Sequence, residues 1–229
     1  MSGDDETAMD DGTDAADATT FWEQRYAGDK GIWSGRPNQV LVDEVSDLAP
    51  GVALDLGCGE GADSVWLAQR GWTVTGVDIS TTALTRARRH GADAGCPDID
   101  FQQADLADWR PDRRVDLVSA MFLQSPVDFP REEVLRRAAG ALRPGGLLLV
   151  VSHAAPPPWA PPDAFAAHGG GHGHSARGHF LPASQVLVSL ELDPREWTVE
   201  VCQDRPRPAT GPDGETAELL DSVVRVRRH

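Results

Sequence analysis

Three glycines in alternation, set between a short apolar run and a helical pattern, restrict this chain to few folds. Residues 52–80 read VALDLGCGEGADSVWLAQRGWTVTGVDIS. Val52 to Leu56 is an apolar run of strand length, and Gly57, Gly59 and Gly61 follow it at once. A helical pattern with Ala62, Val65, Trp66 and Ala68 then stops at Gly71. A second apolar run, Val74 to Val77, ends on the acid Asp78. Strand, tight turn, helix and strand make a βαβ unit, whose crossover is right-handed. Without Cβ atoms, such a turn lets backbone approach a ligand closely.

The rest of the chain extends this unit. Ser80 is placed to cap a helix running to about residue 91. Strands are expected in DIDFQQA and in VDLVSA at 115–120, a helix at 131–142 ending in LRPGG, and a strand in LLLVVS at 147–152. Near-continuous apolar strands separated by helices indicate a parallel sheet covered on both faces. Residues 153–181 break the alternation. They are rich in Pro, Gly and His, without a period, and are expected to form a flexible insertion. A helix at 182–190 follows, then two β-like stretches, WTVEVCQ (197–203) and LLDSVVRVR (219–227), with no helix between them. Such a pair must be antiparallel. The fold class is therefore α/β: a doubly wound seven-stranded sheet, mostly parallel, with an antiparallel C-terminal hairpin strand and helices on both faces.

Ahead of the glycine loop, residues 1–17 hold seven acids and no base. A stretch so poor in apolar residues cannot offset its ordering entropy, and residues 1–18 are expected to be a disordered acidic tail. Thr19 and Thr20 can cap a short helix carrying Phe21, Trp22, Arg25 and Tyr26. A Gly-bounded loop and a second helix from about Pro37 complete a helical segment over 19–50, which stops at Pro50-Gly51. The main α/β domain then spans 51–229.

The chain has 229 residues, enough for one domain with a full core, and its 40% hydrophobic and 25% charged content is ordinary for a globular protein. No apolar run approaches the roughly 20 residues that cross a bilayer. The acidic N-terminus lacks a signal-peptide pattern. Three well-separated cysteines do not form a disulfide framework. A cytoplasmic setting follows. The net charge of −15 argues against nucleic acid or an anionic membrane as partner.

Gly57-Cys58-Gly59-Glu60-Gly61-Ala62 satisfies the dinucleotide fingerprint G-x-G-x-x-G/A, so nicotinamide dinucleotides and S-adenosyl-L-methionine both stay open on the motif alone. Two features favour the second. Glu60 and Asp63, at the start of the following helix, would repel a diphosphate there. The terminal hairpin departs from an all-parallel dinucleotide sheet.

ALDLGCGEG, the acid of GVDIS, QQADLADW and LRPGG, in that order, resemble the motifs of the class I S-adenosylmethionine-dependent methyltransferases. The resemblance implies that Asp55 receives the cofactor's ammonium beside Gly57, Cys58, Gly59 and Gly61. It implies that Asp78, with Ile79 and Ser80, holds the ribose. Ala104, Asp105 and Leu106 would meet the adenine, and Met121 would also contact the cofactor. FWEQRYAGDKGIWSGRPN is similar to the N-terminal arm of small-molecule methyltransferases of the tellurite-resistance and thiopurine type. In that branch Trp22, Tyr26 and Trp33 would line a lid over the cofactor and Arg36 would anchor its loop.

Methyl transfer from a sulfonium needs positioning more than acid–base machinery, and no dedicated dyad is evident in the sequence. Tyr26 and His153 are the candidate bases. No metal is required. His168, His172, His174 and His179 are the residues that could bind one on the insertion. The resemblance thus implies transfer of a methyl group from S-adenosyl-L-methionine to a small-molecule acceptor. The acceptor atom (sulfur, nitrogen, oxygen or metalloid) and the oligomeric state stay open. The alternatives are an NAD(P)-dependent oxidoreductase and a non-catalytic protein binding S-adenosylmethionine or S-adenosylhomocysteine.

Overall fold

The computed structural model describes residues 13–160, 180–211 and 213–229, with backbone alone at 13–17. One sheet carries β1 (Val52–Leu56), β2 (Thr73–Asp78), β3 (Asp100–Gln103), β4 (Val115–Met121), β5 (Leu142–His153), β6 (Trp197–Thr210) and β7 (Thr216–Arg228). Its strand order is β3-β2-β1-β4-β5-β7-β6. The first five strands are parallel to one another, and β7 runs antiparallel to both β5 and β6. The order reverses between β1 and β4, and the glycine turn leaves β1 at that switch point, where open α/β sheets bind ligands.

Helices α1 (Thr13–Tyr26), α2 (Gln39–Val45), α3 (Ala62–Gln69), α4 (Thr81–Asp93), α5 (Arg131–Ala139) and α6 (Ala183–Ser189) connect the strands or flank them. Alternation along the strands divides the core into two layers. On one face Leu54, Val118, Leu148 and Val150 pack with Val134 and Leu135 of α5 and Val186 of α6. On the other, Ala53, Leu117, Leu147 and Leu149 pack with Leu41 of α2, Val65 of α3 and Leu84 of α4. Both faces are apolar because both are covered. Among the described residues no helix is long and apolar enough to cross a membrane.

Three local expectations are corrected. Helix α1 begins at Thr13, so residues 13–18 belong to a helix and not to a disordered tail. Ala15 and Ala16 are strong helix formers. Residues 1–12 lie outside the described residues. The LRPGG stretch is not the end of a helix: α5 stops at Ala139, and Leu142 already pairs with Val115 before the register shifts and resumes at Leu147. The C-terminal strands are longer than their apolar runs, β6 with 14 residues against seven and β7 with 13 against nine. Pro206 and Pro208 lie within β6, which tolerates them because an edge strand's outward N–H groups have no ladder partner. His153, the last residue of β5, pairs with Asp221, and the β6–β7 hairpin continues beyond it from 206 to 220. The hairpin thus extends past the C-terminal end of β5, on the same edge as the glycine turn.

Gly61 joins the glycine turn to this packing. Its φ is +81°, and an added Cβ would lie 2.8 Å from the Ala87 Cβ on α4. Gly61→Ala is expected to cost roughly 2–4 kcal/mol of stability, read from urea denaturation. A loss under about 0.5 kcal/mol would contradict this tight α3–α4 approach.

Candidate functional site

The turn after β1 folds back on β2. Gly57 N–H and Cys58 N–H both donate to Val77 O, at 2.8 and 3.1 Å. Gly59 N–H donates to Asp78 Oδ2 at 2.8 Å, and Ser80 N–H donates to Asp78 Oδ1 at 2.9 Å. The Ser80 hydroxyl caps α4 by accepting from Ala83 N–H at 3.1 Å. Beneath the turn, Asp55 accepts from the hydroxyls of Ser64 (2.6 Å) and Ser119 (3.1 Å). At the start of α3, Asp63 accepts from the backbone N–H and side-chain amide of Asn38, both at 2.7 Å.

Asp55, Asp63 and Asp78 are all buried. Their hydrogen-bond partners are hydroxyls and amides, and among the described residues none of the three pairs with a cation. Burial pushes the Asp55 carboxyl up to about 7, with the charge of Asp63 adding to it and the serine hydroxyls opposing it. Burial also raises Asp63 and Asp78 against their hydrogen bonds. The turn therefore covers three buried carboxyls that, among the described residues, have no cation beside them, and burial favours their protonated forms. The Cys58 thiol is pushed well up by burial and by Asp78 and Asp55, so it is protonated at neutral pH.

Glu60 does not add to this field as the sequence suggested. Its carboxylate accepts from Ile32 N–H (3.2 Å) and Trp33 N–H (3.1 Å) and pairs with Arg86 at 2.7 Å. The same guanidinium donates to Tyr26 O at 2.9 Å and to Gly28 O. Glu60, Asp63 and Arg86 thus clasp residues 26–38 against the glycine turn, and the expected repulsion of a diphosphate rests on Asp55, Asp63 and Asp78 instead. Arg36, expected to anchor this loop, is exposed, and its backbone N–H donates to Ser34 Oγ at 3.2 Å. The anchor is Arg86, whose partners lie 26 and 60 residues away. Glu23 of α1 adds a second tie by accepting from Thr81 and Thr82 N–H at the start of α4.

Tyr26 is buried, and its hydroxyl accepts from Trp33 Nε1 at 3.1 Å. A Cβ added to Gly59 would lie 3.0 Å from that hydroxyl, so the arm rests directly on the turn. The Trp22 ring lies 6.3 Å from the Tyr26 ring, and Trp33 is exposed. Burial and the charge of Asp78 push the Tyr26 phenol far above its ordinary value.

Ala104 N–H donates to Asp78 O at 3.0 Å, joining the β3 exit to the β2 exit. Asp105 accepts from Ala107 N–H at 2.8 Å, shaping the turn that buries Leu106. Ile79 is half-buried, and its carbonyl accepts from Gln103 Nε2 at 3.3 Å. Met121 is buried at the end of β4. His153 ends β5, with Nδ1 3.1 Å from Asp221 Oδ1. His168, His172, His174 and His179 lie outside the described residues. Among those described, no group of three acidic, His or Cys side chains could hold a metal.

Residues 53–146 match the family described as Methyltransferase domain. The chain is 35% identical to the 2-heptyl-1-hydroxyquinolin-4(1H)-one methyltransferase of Mycobacteroides abscessus, over 55% of this chain and 58% of that protein. It spans about half the length of the curated relatives it matches. Among solved structures it resembles the N-methyltransferase NodS of Bradyrhizobium japonicum in complex with S-adenosyl-L-homocysteine. That likeness has a TM-score of 0.65 at 19% identity and covers 92% of this chain and 98% of NodS. TehB of Haemophilus influenzae gives a TM-score of 0.65 at 16% identity, covering 93% of this chain and 67% of TehB. At these identities the structural likenesses establish the fold.

Two consequences of the site are measurable. Asp55 is raised on folding from an ordinary carboxyl value near 3.9 to about 7. Its contribution is complete below the unfolded value and is lost as pH rises toward 7, worth on the order of a few kcal/mol. The ligand-free protein should lose melting temperature between pH 4 and 7, and Asp55→Asn should flatten that slope. An unchanged slope would contradict a buried, protonated Asp55. Glu60→Ala should speed amide exchange at Ile32 and Trp33 about tenfold or more, with Leu149 unaffected. Unaltered exchange at the two arm amides would contradict the clasp.

Proposed function

We propose that this chain, whose residues 53–146 match a methyltransferase domain, is a class I methyltransferase that transfers a methyl group from S-adenosyl-L-methionine to a small-molecule acceptor. One observation carries the reading: Asp55, Asp63 and Asp78 lie buried around the glycine turn with hydroxyl and amide partners only. A dinucleotide would bring a diphosphate to these carboxylates. S-adenosyl-L-methionine brings no phosphate and two positive centres.

Asp55 would take the ammonium through the carboxylate that Ser64 and Ser119 orient. Asp78 would take the ribose hydroxyls, held in place by Gly59 and Ser80 N–H. Asp105 and Leu106 would border the adenine. When bound, the cofactor supplies an activated methyl group on a sulfonium. The chain's part is to position that group, exclude water and present the acceptor. The arm at 26–38 serves as the cover, closed by Glu60, Asp63 and Arg86. The hydroxyquinolone relative supports a small-molecule acceptor, as does the acidic surface, which disfavours nucleic acid. Three free cysteines are in keeping with a cytoplasmic setting.

Calorimetric titration of the tag-free protein with S-adenosylmethionine, S-adenosylhomocysteine and NADH tests this. The first two should bind and NADH should not. Asp55→Ala and Asp78→Ala should each weaken S-adenosylmethionine at least thirtyfold, about 2 kcal/mol. Binding of NADH alone, or unchanged affinity in both variants, would contradict the assignment.

A further inference from the structure

A second constellation stands on the same edge of the sheet, on the opposite side of the switch point from Asp78. Phe122 leaves β4 with φ +55°, a conformation that a bulky residue keeps only when its surroundings impose it. The constraints are visible. Phe122 N–H donates to Val151 O at 2.8 Å, and Gln124 N–H donates to Phe122 O at 2.8 Å. The Gln124 amide brackets the backbone of His153, accepting from its N–H at 2.7 Å and donating to its carbonyl at 3.2 Å. Buried Arg131 donates to Leu123 O at 2.7 Å and to Ser152 Oγ. The ends of β4 and β5 are thereby locked together.

This lock sets three side chains. The Phe122 and His153 rings face each other at 4.5 Å, inclined by 31°. The Arg207 guanidinium lies 5.7 Å from the Phe122 ring centre. Asp221, with 1% of its side chain exposed, approaches His153 Nδ1 at 3.1 Å and accepts from Arg207 Nε at 2.6 Å. Burial would raise the Asp221 carboxyl, but the bonds from His153 and Arg207 outweigh it and hold the group below the ordinary range. An ionised carboxylate can only accept, so Asp221 selects the neutral tautomer of His153 that has its proton on Nδ1 and its lone pair on Nε2. About a third of the His153 side chain is exposed. Leu123, between Phe122 and Gln124, lies against the glycine turn: a Cβ added to Gly57 would sit 2.7 Å from its Cδ1. The dyad and the cofactor turn are thus joined through one three-residue segment.

Resting on the function proposed above, we infer that His153 is the general base of the transfer, with Asp221 as its positioning partner, and that the acceptor is a weakly acidic hydroxyl on a flat, apolar group stacked against Phe122. A thiol or metalloid acceptor is nucleophilic enough without help and has no use for a lone pair aimed by a buried carboxylate. A phenol or enol does. Its O–H proton passes to His153 Nε2 while an oxygen lone pair forms the bond to the methyl carbon. The S–CH3 bond breaks with its electrons going to sulfur, which turns the sulfonium into a neutral thioether. The imidazolium then returns its proton to solvent, and the charge is balanced throughout. Asp221 holds the tautomer and stabilises the transient imidazolium, and Arg207 keeps Asp221 ionised.

The test uses the full chain saturated with S-adenosylhomocysteine and 4-nitrophenol as a reporting acceptor, at a pH below the dye's own ionisation in water. Absorbance of the phenolate should show at least tenfold more ionised dye than the same solution without protein. His153→Gln, a polar change at a partly exposed position, should keep the fold and abolish the enrichment. Asp221→Asn should reduce it, and ring nitrogen shifts of His153 should show the loss of the Nδ1–H tautomer. If Asp221→Asn fails to fold, His153→Gln still decides. No enrichment in the wild-type protein with S-adenosylhomocysteine bound, or equal enrichment in His153→Gln, overturns the base and the hydroxyl acceptor. Failure of S-adenosylhomocysteine to bind at all, read by calorimetry, instead overturns the function on which the inference rests.

Discussion

Buried negative charge without a matching cation is the constraint around which this molecule is arranged. Asp55 and Asp78 end two adjacent parallel strands, and the glycine turn between them leaves only hydroxyls and backbone N–H groups to satisfy them. Each bond aims a carboxylate without neutralising it. A buried acid in this condition takes up a proton or recruits a positive ligand, since solvent cannot screen it. Asp55 shows the first response when the protein is alone. The second is the proposed function.

The surrounding elements follow from protecting that site. Glu60 has its own cation, and this lets it hold the arm instead of competing for the ligand. Arg86 of α4 bonds both Glu60 of the glycine turn and Tyr26 O of the arm, so arm and turn are mechanically one unit. On the far side, Gln124 and Arg131 fasten the end of β4 to the end of β5, and Leu123 carries that rigidity to Gly57. The two halves of the site are therefore set by short polar ties between strand ends, which is how a rigid sheet holds reacting groups in register.

Legibility in the sequence followed the range of the interactions. The βαβ unit at 52–78, the parallel strands and the terminal hairpin were readable because apolar period, glycine turns and the lack of an intervening helix are local signals. Asp55 and Asp78 were readable as strand-end acids for the same reason. Where local signals conflicted, the reading failed. The acids before Thr19 suggested disorder although Ala15 and Ala16 support a helix, and Pro206 and Pro208 suggested a loop although an edge strand accepts them. Contacts between distant segments left no trace in spacing: Arg86 with Tyr26, Asn38 with Asp63, Ser119 with Asp55 and His153 with Asp221 lie 25 to 68 residues apart. Position within the arm points to Arg36 as its anchor, whereas the tie that the structure shows comes from Arg86 of α4.

In the proposed function the ligand's positive charge replaces the proton on Asp55. Calorimetry of S-adenosylmethionine binding in buffers of different ionisation enthalpy counts that proton directly. At pH 6.5 the ligand's amino group, with an ordinary value near 7.7–8.0, is already protonated and cannot obscure the count. Release of about half a proton or more per ligand bound is expected, and less for Asp55→Asn. Binding with no proton released would contradict it, because Asp55 would then keep the same charge with and without the ligand.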